Sequence, residues 1–399
     1  MSVKIPQRSR FGFFRNVIAA GWVSFFMDVS SEMIYPLVPL FLSEVLGGSM
    51  AIVGLVEGAA ESTASLLKVV SGRISDRMGK RKSLMALGYG ISTFSRPLLV
   101  LAAGWPMVFG ARFMDRLGKG VRTAPRDALL AESAPPFMLG RAFGYHRALD
   151  TLGAVVGPAV AWFLQSSLSV GYRTIFLLSI LPALLALGTI FRRIEETGTG
   201  RIREGTYPPS SFRRLDGRFY GFLFISALFA LGNSSNVFLL LKARQLGMAT
   251  STIPLIYLLL NGVYALSSYP AGVLADRFGK KRMILLGFLL FSLLYYGFAK
   301  VTLPWELWVL FLGYGLYQGL TEGVQRAFLA EIVPSDGKAT AFGIYHGVIG
   351  MALFPASLIG GWLWDRFTPS ATFYFGMVTG AISFFLFIGY VVCMQREYV

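Results

Sequence analysis

The sequence predicts an all-α integral membrane protein with twelve transmembrane helices in two pseudo-symmetric six-helix bundles. Three observations carry that expectation. The 399 residues are 54% hydrophobic and 15% charged, against about 25% charged in an ordinary soluble domain, and the mean hydropathy is +0.59. Twelve apolar runs reach the roughly 20 residues a helix needs to cross the hydrocarbon layer. The second half of the chain also repeats motifs of the first in the same order. A soluble chain this apolar could not cover its core with polar surface, and disorder, a collagen-like fibre or a disulfide-stapled domain do not fit. The only cysteine is Cys393, which leaves no intrachain disulfide and no cysteine cluster for zinc.

In order, the runs are 14–43, 50–71, 83–104, 105–131, 141–167 and 171–192, then 217–241, 251–273, 283–301, 304–331, 340–364 and 370–394. The first carries Asp28 and Glu32, and the second carries Glu57, Glu61 and Lys68. The fourth is the most charged. Most connections are too short to fold alone. The exception, 193–216, is rich in Arg, Glu, Gly and Pro and reads as a cytoplasmic linker. It separates an N-terminal six-helix bundle in 1–192 from a C-terminal one in 217–399.

Lys and Arg crowd the N-terminus, the even-to-odd connections and the C-terminus. The opposite side holds Arg173, Lys242, Arg244, Lys300 and Arg366. Basic residues accumulate on the cytoplasmic side, so both termini are expected inside a plasma (inner) membrane. The net charge of +16 then reports topology rather than a nucleic-acid partner. Met1 to Arg10 is polar and basic, but the apolar stretch after it is too long for a cleavable signal.

The repeat is specific. Gly72-Arg73-Ile74-Ser75-Asp76-Arg77-Met78-Gly79-Lys80-Arg81 returns as Gly272-Val273-Leu274-Ala275-Asp276-Arg277-Phe278-Gly279-Lys280-Lys281. Asp28-Val29-Ser30-Ser31-Glu32 is echoed by Gly232-Asn233-Ser234-Ser235-Asn236, and Ala131-Glu132 with Ala142-Phe143-Gly144 by Ala330-Glu331 with Ala341-Phe342-Gly343. With these motifs the chain resembles a major facilitator superfamily transporter over nearly its whole length. Pro36-Leu37-Val38-Pro39, Arg112-Phe113-Met114-Asp115-Arg116-Leu117-Gly118 and Gly153-Ala154-Val155-Val156-Gly157-Pro158 are similar to motifs of the twelve-span drug/proton antiporter branch. The chain departs from that branch at Asp115 and Arg116, where it usually has Gln and Gly, and at Ala161 and Trp162, where paired glycines are usual.

The resemblance implies alternating access, with a substrate site between duplicated halves near the bilayer midplane. The 72–82 and 272–282 loops are expected to gate the cytoplasmic side through Gly72, Asp76, Arg77, Gly79 and Arg81, and through Gly272, Asp276, Arg277 and Gly279. Gly72 and Gly272 permit close helix approach, and Gly79 and Gly279 a tight turn. The aspartates can face a helix N-terminus, and the basic residues lipid phosphates or partner carboxylates. Gly153, Gly157 and Pro158 join the gating set through the antiporter-like motif.

Ionisable groups inside a bilayer are costly and usually mark function or a paired contact. Asp28 and Glu32 stand one turn apart on one face, as do Glu57 and Glu61. Stacked carboxylates disfavour joint ionisation, which suits one of them to carry a coupling proton. Alternatively these acids neutralise the basic fourth helix. There Arg112, Asp115, Lys119, Arg122 and Arg126 share one arc, with Arg116 at its border. Three readings stand together for this arc: a cytoplasmic extension, a salt-bridge network with His146, Arg147 and Asp150, or a basic cavity wall for a partly anionic substrate. Asp150 belongs to the same candidate substrate set. The C-terminal half adds Asn236, Asn261, Gln318 and Glu322. His146 and His346 read as hydrogen-bonded structural groups, and no metal or other cofactor is expected.

No phosphate-binding Gly-x-x-x-x-Gly-Lys-Ser/Thr, His-Glu-x-x-His or Gly-x-Ser-x-Gly motif occurs, so neither ATP hydrolysis nor an enzyme is expected. The expected partners are a small-molecule substrate, protons and membrane lipid, with no nucleic acid, and the chain is expected to be a monomer. Proton-coupled efflux of a small amphiphilic or partly anionic compound is the leading reading. Import of an organic anion by proton symport or exchange is the alternative, as is a lipid flippase on the same fold.

Overall fold

The structure, a computed structural model, describes residues 7–38, 41–47, 64, 67–197, 215–233, 236–248, 253–334 and 337–396. The described residues form helices joined by short turns, with no strand among them. Seven of these helices are long and apolar enough to cross a membrane. Two compact units are resolved. Unit 1 comprises Met1–Pro135, Leu149–Tyr207 and Ser335–Gly347; unit 2 comprises Pro136–Ala148, Pro208–Pro334 and Val348–Val399. Each unit therefore takes in a short piece of the other sequence half.

In unit 1, α1 (Gln7–Ile34) stops well before the expected end at 43. Pro36 has no N–H to donate and disfavours helical backbone at Tyr35, and a π-helical turn, Phe41–Val45, follows. Helix α2 covers 67–78 and reaches through Asp76. The motif expected in a loop is thus a helix end, and the turn itself is only Gly79–Arg81. Gly79 sits at φ +59°, where a Cβ would be strained.

Helix α3 (Lys82–Val100) packs on α4 (Trp105–Glu132), which runs unbroken through Pro125. Helix α5 (Leu139–Leu168) starts in unit 2 and continues in unit 1. The sixth run is α6 (Tyr172–Leu178) and α7 (Ile180–Arg193), interrupted at Ser179, whose hydroxyl donates to Phe176 O at 2.7 Å. Helix α7 lies against α1 and α3. In the 193–216 connection, 198–214 fall outside the described residues.

In unit 2, Asp216 caps α8 (Gly217–Gly232), accepting from the Arg218 and Phe219 N–H groups at 3.1 and 3.2 Å. The run expected over 217–241 breaks at Asn233 and resumes as α9 (Asn236–Gln245). Helices α10 (Ile253–Phe278), α11 (Lys280–Lys300), α12 (Pro304–Ile332), α13 (Lys338–Arg366) and α14 (Pro369–Arg396) follow. A single residue, Gly279 at φ +96°, separates α10 from α11. So the second motif is also mostly helical rather than a loop.

The core of unit 2 is aromatic. Phe229 stacks on Phe288 with ring centroids 4.3 Å apart, and Phe291 meets Tyr295 at 4.1 Å. Each ring buries roughly 150–250 Å², so many phenylalanines pack helix against helix. Others face outward, as Phe385 does at 69% exposure.

Candidate functional site

Unit 1 holds a cluster of charges inside. On α4, Arg112, Asp115, Arg116, Arg122 and Asp127 are all buried, which inverts the usual polar-out pattern. Their partners explain it. Arg96 of α3, 2% exposed, donates to Asp115 Oδ1 at 2.6 Å, to Ser95 Oγ and Ser31 Oγ at 2.8 Å each, and to Ser30 Oγ at 3.2 Å. Arg112 adds a longer contact to Asp115, 3.7 Å. Arg122 donates to Ser92 Oγ and lies 4.5 Å from the centre of the Tyr89 ring. Arg126 bridges Asp127 at 3.0 Å and Asp150 at 3.9 Å. His346 Nε2, from the first turns of α13, stands 2.6 Å from Asp127 Oδ2.

A salt-bridge network is therefore present, and the helix continues past Gly118 to Glu132 with most of that stretch buried. Arg96 was missed in the sequence. An arginine in mid-run, just before Pro97, was the signal that could have found it.

The acids of α1 separate. Asp28 faces Asp150 of α5 and lies in the field of Lys119 and Glu32. Glu32 faces the α4 cations Lys119, Arg116 and Arg112. Arg112 and Arg116 also sit over the Tyr35 ring, at 5.3 and 5.9 Å. Glycines allow this proximity. A Cβ on Gly153 would stand 2.6 Å from Phe25 O and 3.0 Å from Asp28 Cβ; one on Gly157 would stand 2.8 Å from Val29 O and 2.9 Å from Glu32 Cβ. So α5 touches the α1 backbone along the acidic stretch. Pro158 lies within α5 beside this contact. Glu57 and Glu61 lie outside the described residues.

The repeated motifs form two matching latches, one in each unit. In unit 1 the N–H groups of Ala339 and Thr340, at the start of α13, donate to Asp76 at 3.3 and 2.6 Å. Arg81 joins Asp76 at 2.7 Å to Glu132 at 2.8 Å. In unit 2 the N–H groups of Gly140 and Arg141, at the start of α5, donate to Asp276 at 2.8 and 2.9 Å. There Lys280 joins Asp276 at 3.9 Å to Glu331 at 2.9 Å. Lys280 thus takes the place that sequence alignment assigns to Lys281. Gly72 lies directly under Ala339 O, and Gly272 under Gly140 O, so a side chain at either position would separate the helices.

Each carboxylate faces free N–H groups at a helix N-terminus, where the dipole favours negative charge. Burial pushes the Asp76 carboxyl above its ordinary range, against the opposing pull of Arg81 and the Thr340 N–H. Burial alone would lower the Arg81 guanidinium, but its hydrogen bond to Glu132 and the charge of Asp76 hold it above its usual value. Arg77 and Arg277 are exposed and stand outside both latches.

Unit 2 has its own polar group where α8 breaks. Tyr314 Oη donates to Asn233 Oδ1 at 2.9 Å and lies 3.2 Å from Asn236 Oδ1. Tyr314, Gln318 and Glu322 follow at one-turn intervals on α12, hence on one face. Gln318 Oε1 is buried with no hydrogen-bond partner among the described residues. Glu322 pairs with Arg147 at 2.9 Å. Asn261 is apart from this column and donates to Tyr257 O at 3.0 Å. No group of three or more metal-binding side chains occurs among the described residues.

Comparison with known proteins places these features in a family. The family model described as Major Facilitator Superfamily matches residues 20–232 and again 222–397. An MFS-type transporter of Methanocaldococcus jannaschii, itself named as uncharacterized, is 36% identical over 377 residues, covering 92% of this chain and 93% of the relative. A multi-drug resistance efflux pump PmrA homolog of Lactococcus lactis is 26% identical over 366 residues, covering 87% of each. The crystal structure of the E. coli fucose:proton symporter superposes with a TM-score of 0.79 at 12% identity, covering 95% of this chain and 99% of that one.

Proposed function

The chain belongs to the Major Facilitator Superfamily of transporters, and we infer that it is a proton-coupled exporter of a small amphiphilic or partly anionic compound. The observation that carries the coupling is the Asp28–Asp150 contact. Two facing carboxyls disfavour joint ionisation, because two bare carboxylates repel, and such a pair is suited to share one proton. Lys119 beside the pair offers the counter-charge once that proton leaves. Proton loss and gain at Asp28–Asp150 would bias the two access states through their different affinities for the proton. Glu32, facing Arg112, Arg116 and Lys119, would serve the basic wall rather than the proton.

Substrate contact is assigned, within unit 1, to that wall through Arg112, Arg116 and Lys119 and, within unit 2, to Asn236 of α9 and to Gln318 and Glu322 of the α12 column. The unpartnered Gln318 Oε1 calls for a donor on the substrate. The latches would hold the cytoplasmic side closed, with both termini on that side of an inner membrane and the chain working as a monomer. Efflux is supported by the name of the Lactococcus relative. The basic wall favours a second reading, import of an organic anion.

The test uses purified protein in liposomes with an imposed pH gradient and a panel of anionic, cationic and zwitterionic compounds. Proton flux is expected only with certain compounds. Asp28→Asn and Asp150→Asn should each abolish gradient-driven movement while leaving exchange of the compound across the membrane. Gradient-driven transport unchanged in both variants would refute the assignment.

A further inference from the structure

Along α1, Arg15, Ile18, Trp22 and Phe26 recur at helical spacing on one face. With Thr189 and Arg193 of α7 they line a groove of about 540 Å³ in unit 1. Arg15 and Phe26 stand about 16 Å apart along the axis at 1.5 Å per residue, close to one leaflet of a hydrocarbon layer about 30 Å thick. On an adjoining face a second groove, about 750 Å³, is lined by α7 itself through Leu181, Leu184, Leu185, Gly188, Phe191 and Arg192. Its lining runs from Leu181 to Arg193, about 18 Å along the axis at 1.5 Å per residue, and Thr189 and Arg193 border both grooves.

The two grooves share one design, an apolar channel of single-leaflet length that ends on guanidinium groups. Trp22, 41% exposed, forms a rigid wall by packing edge-on against Phe25 at 5.4 Å. Arg15 is committed to Glu195 at 2.8 Å. Arg192 and Arg193 are exposed, and no carboxylate pairs with either among the described residues. A soluble anion would meet the guanidiniums and make no use of the grooves. A zwitterionic lipid would fill the grooves without compensating the charge. Guanidinium groups bind phosphate through paired N–H donors, and basic pockets beside membrane helices suit anionic head groups. We propose that these grooves bind an anionic phospholipid, with acyl chain along adjoining faces of α7 and its phosphate held by Arg192 and Arg193.

The test places the full-length protein in phosphatidylcholine vesicles containing a minor share of phosphatidylglycerol, with bromines on the acyl chains of one lipid or the other. The readout is the quenching that disappears in Trp22→Phe, which isolates this tryptophan. Brominated phosphatidylglycerol is expected to quench beyond its share of the bilayer, by about five-fold for each of the two arginines. Arg192→Gln with Arg193→Gln should reduce that excess to the bulk share, and Arg192→Lys with Arg193→Lys should retain most of it. Quenching that follows bulk composition in the unaltered protein would overturn the proposal. So would loss of the excess on adding inorganic phosphate, which would indicate a site for a free anion. Neither substrate nor proton gradient enters the measurement, so its outcome is independent of the transport reading.

Discussion

Gly72→Ala is the sharpest probe of the unit 1 latch. A Cβ at this position would collide with Ala339 O and stand 2.9 Å from Ala339 C and 3.2 Å from Thr340 Cα. Relief requires the start of α13 to move by about 1 Å, since backbone cannot rotate aside as a flexible side chain can. The Thr340 N–H, now 2.6 Å from Asp76 Oδ2, would then lie beyond hydrogen-bond range. Overpacking costs about 1–3 kcal/mol and a lost hydrogen bond about 1 kcal/mol. The latch should weaken by about 2–4 kcal/mol, or roughly 30- to 900-fold in the closed-to-open ratio. Alanine meanwhile favours the interior of α2 by about 1 kcal/mol, so folding survives. The assay is hydrogen exchange of the peptide spanning 338–342, whose amides should exchange faster by that factor. Gly90→Ala on α3 is the control, because its Cβ would meet nothing within 4 Å. Unchanged exchange in Gly72→Ala, or equal acceleration in both variants, would refute the reasoning.

The remaining predictions concern pH, the acid pair and the missed arginine. Burial raises Asp76 in the latched state, so its contribution is complete below the ordinary carboxylate range and lost as pH rises through the raised value. Protection at 339–340, corrected for intrinsic exchange, should therefore be greater at acid pH. Asp76→Asn should abolish that dependence and slow transport more than it weakens substrate binding. Gly153→Ala should push α1 away from α5 at Asp28, at a cost of about 1–3 kcal/mol, and shift the pH profile of transport; an unaltered profile counts against the Asp28–Asp150 pair. Arg96→Gln removes the 2.6 Å partner of Asp115 and leaves it in the longer-range field of Arg116, Arg112 and Arg122; it should cost up to about 3 kcal/mol, read as a lower melting temperature of the purified protein.

The membrane-spanning character, the repeat and the latch aspartates were legible in the sequence because each depends on local quantities. Run length, apolarity and helical spacing act within a single helix, so Asp76 and Asp276 match by motif spacing alone. The limits of that reading are equally physical. Asp28 and Glu32 share a face, but spacing along α1 says nothing about what stands opposite. The close approach at Gly153 and Gly157 decides that Asp28 meets Asp150 while Glu32 meets the cations of α4. Arg96 drew no assignment from the sequence because its partner Asp115, 2.6 Å away, belongs to a different helix, α4.

Helix ends were predicted least well. Local chemistry did shorten α1 at Pro36, yet the break at Asn233 is held by Tyr314 from a distant helix. The exchange of 136–148 and 335–347 between the units follows from hydrogen bonds that bind each helix start to an aspartate far away in the chain. Spacing and apolarity determined which residues could line an interior. Only packing between helices decided which charges compensate one another, because that depends on backbone separations absent from the order of residues along any one helix.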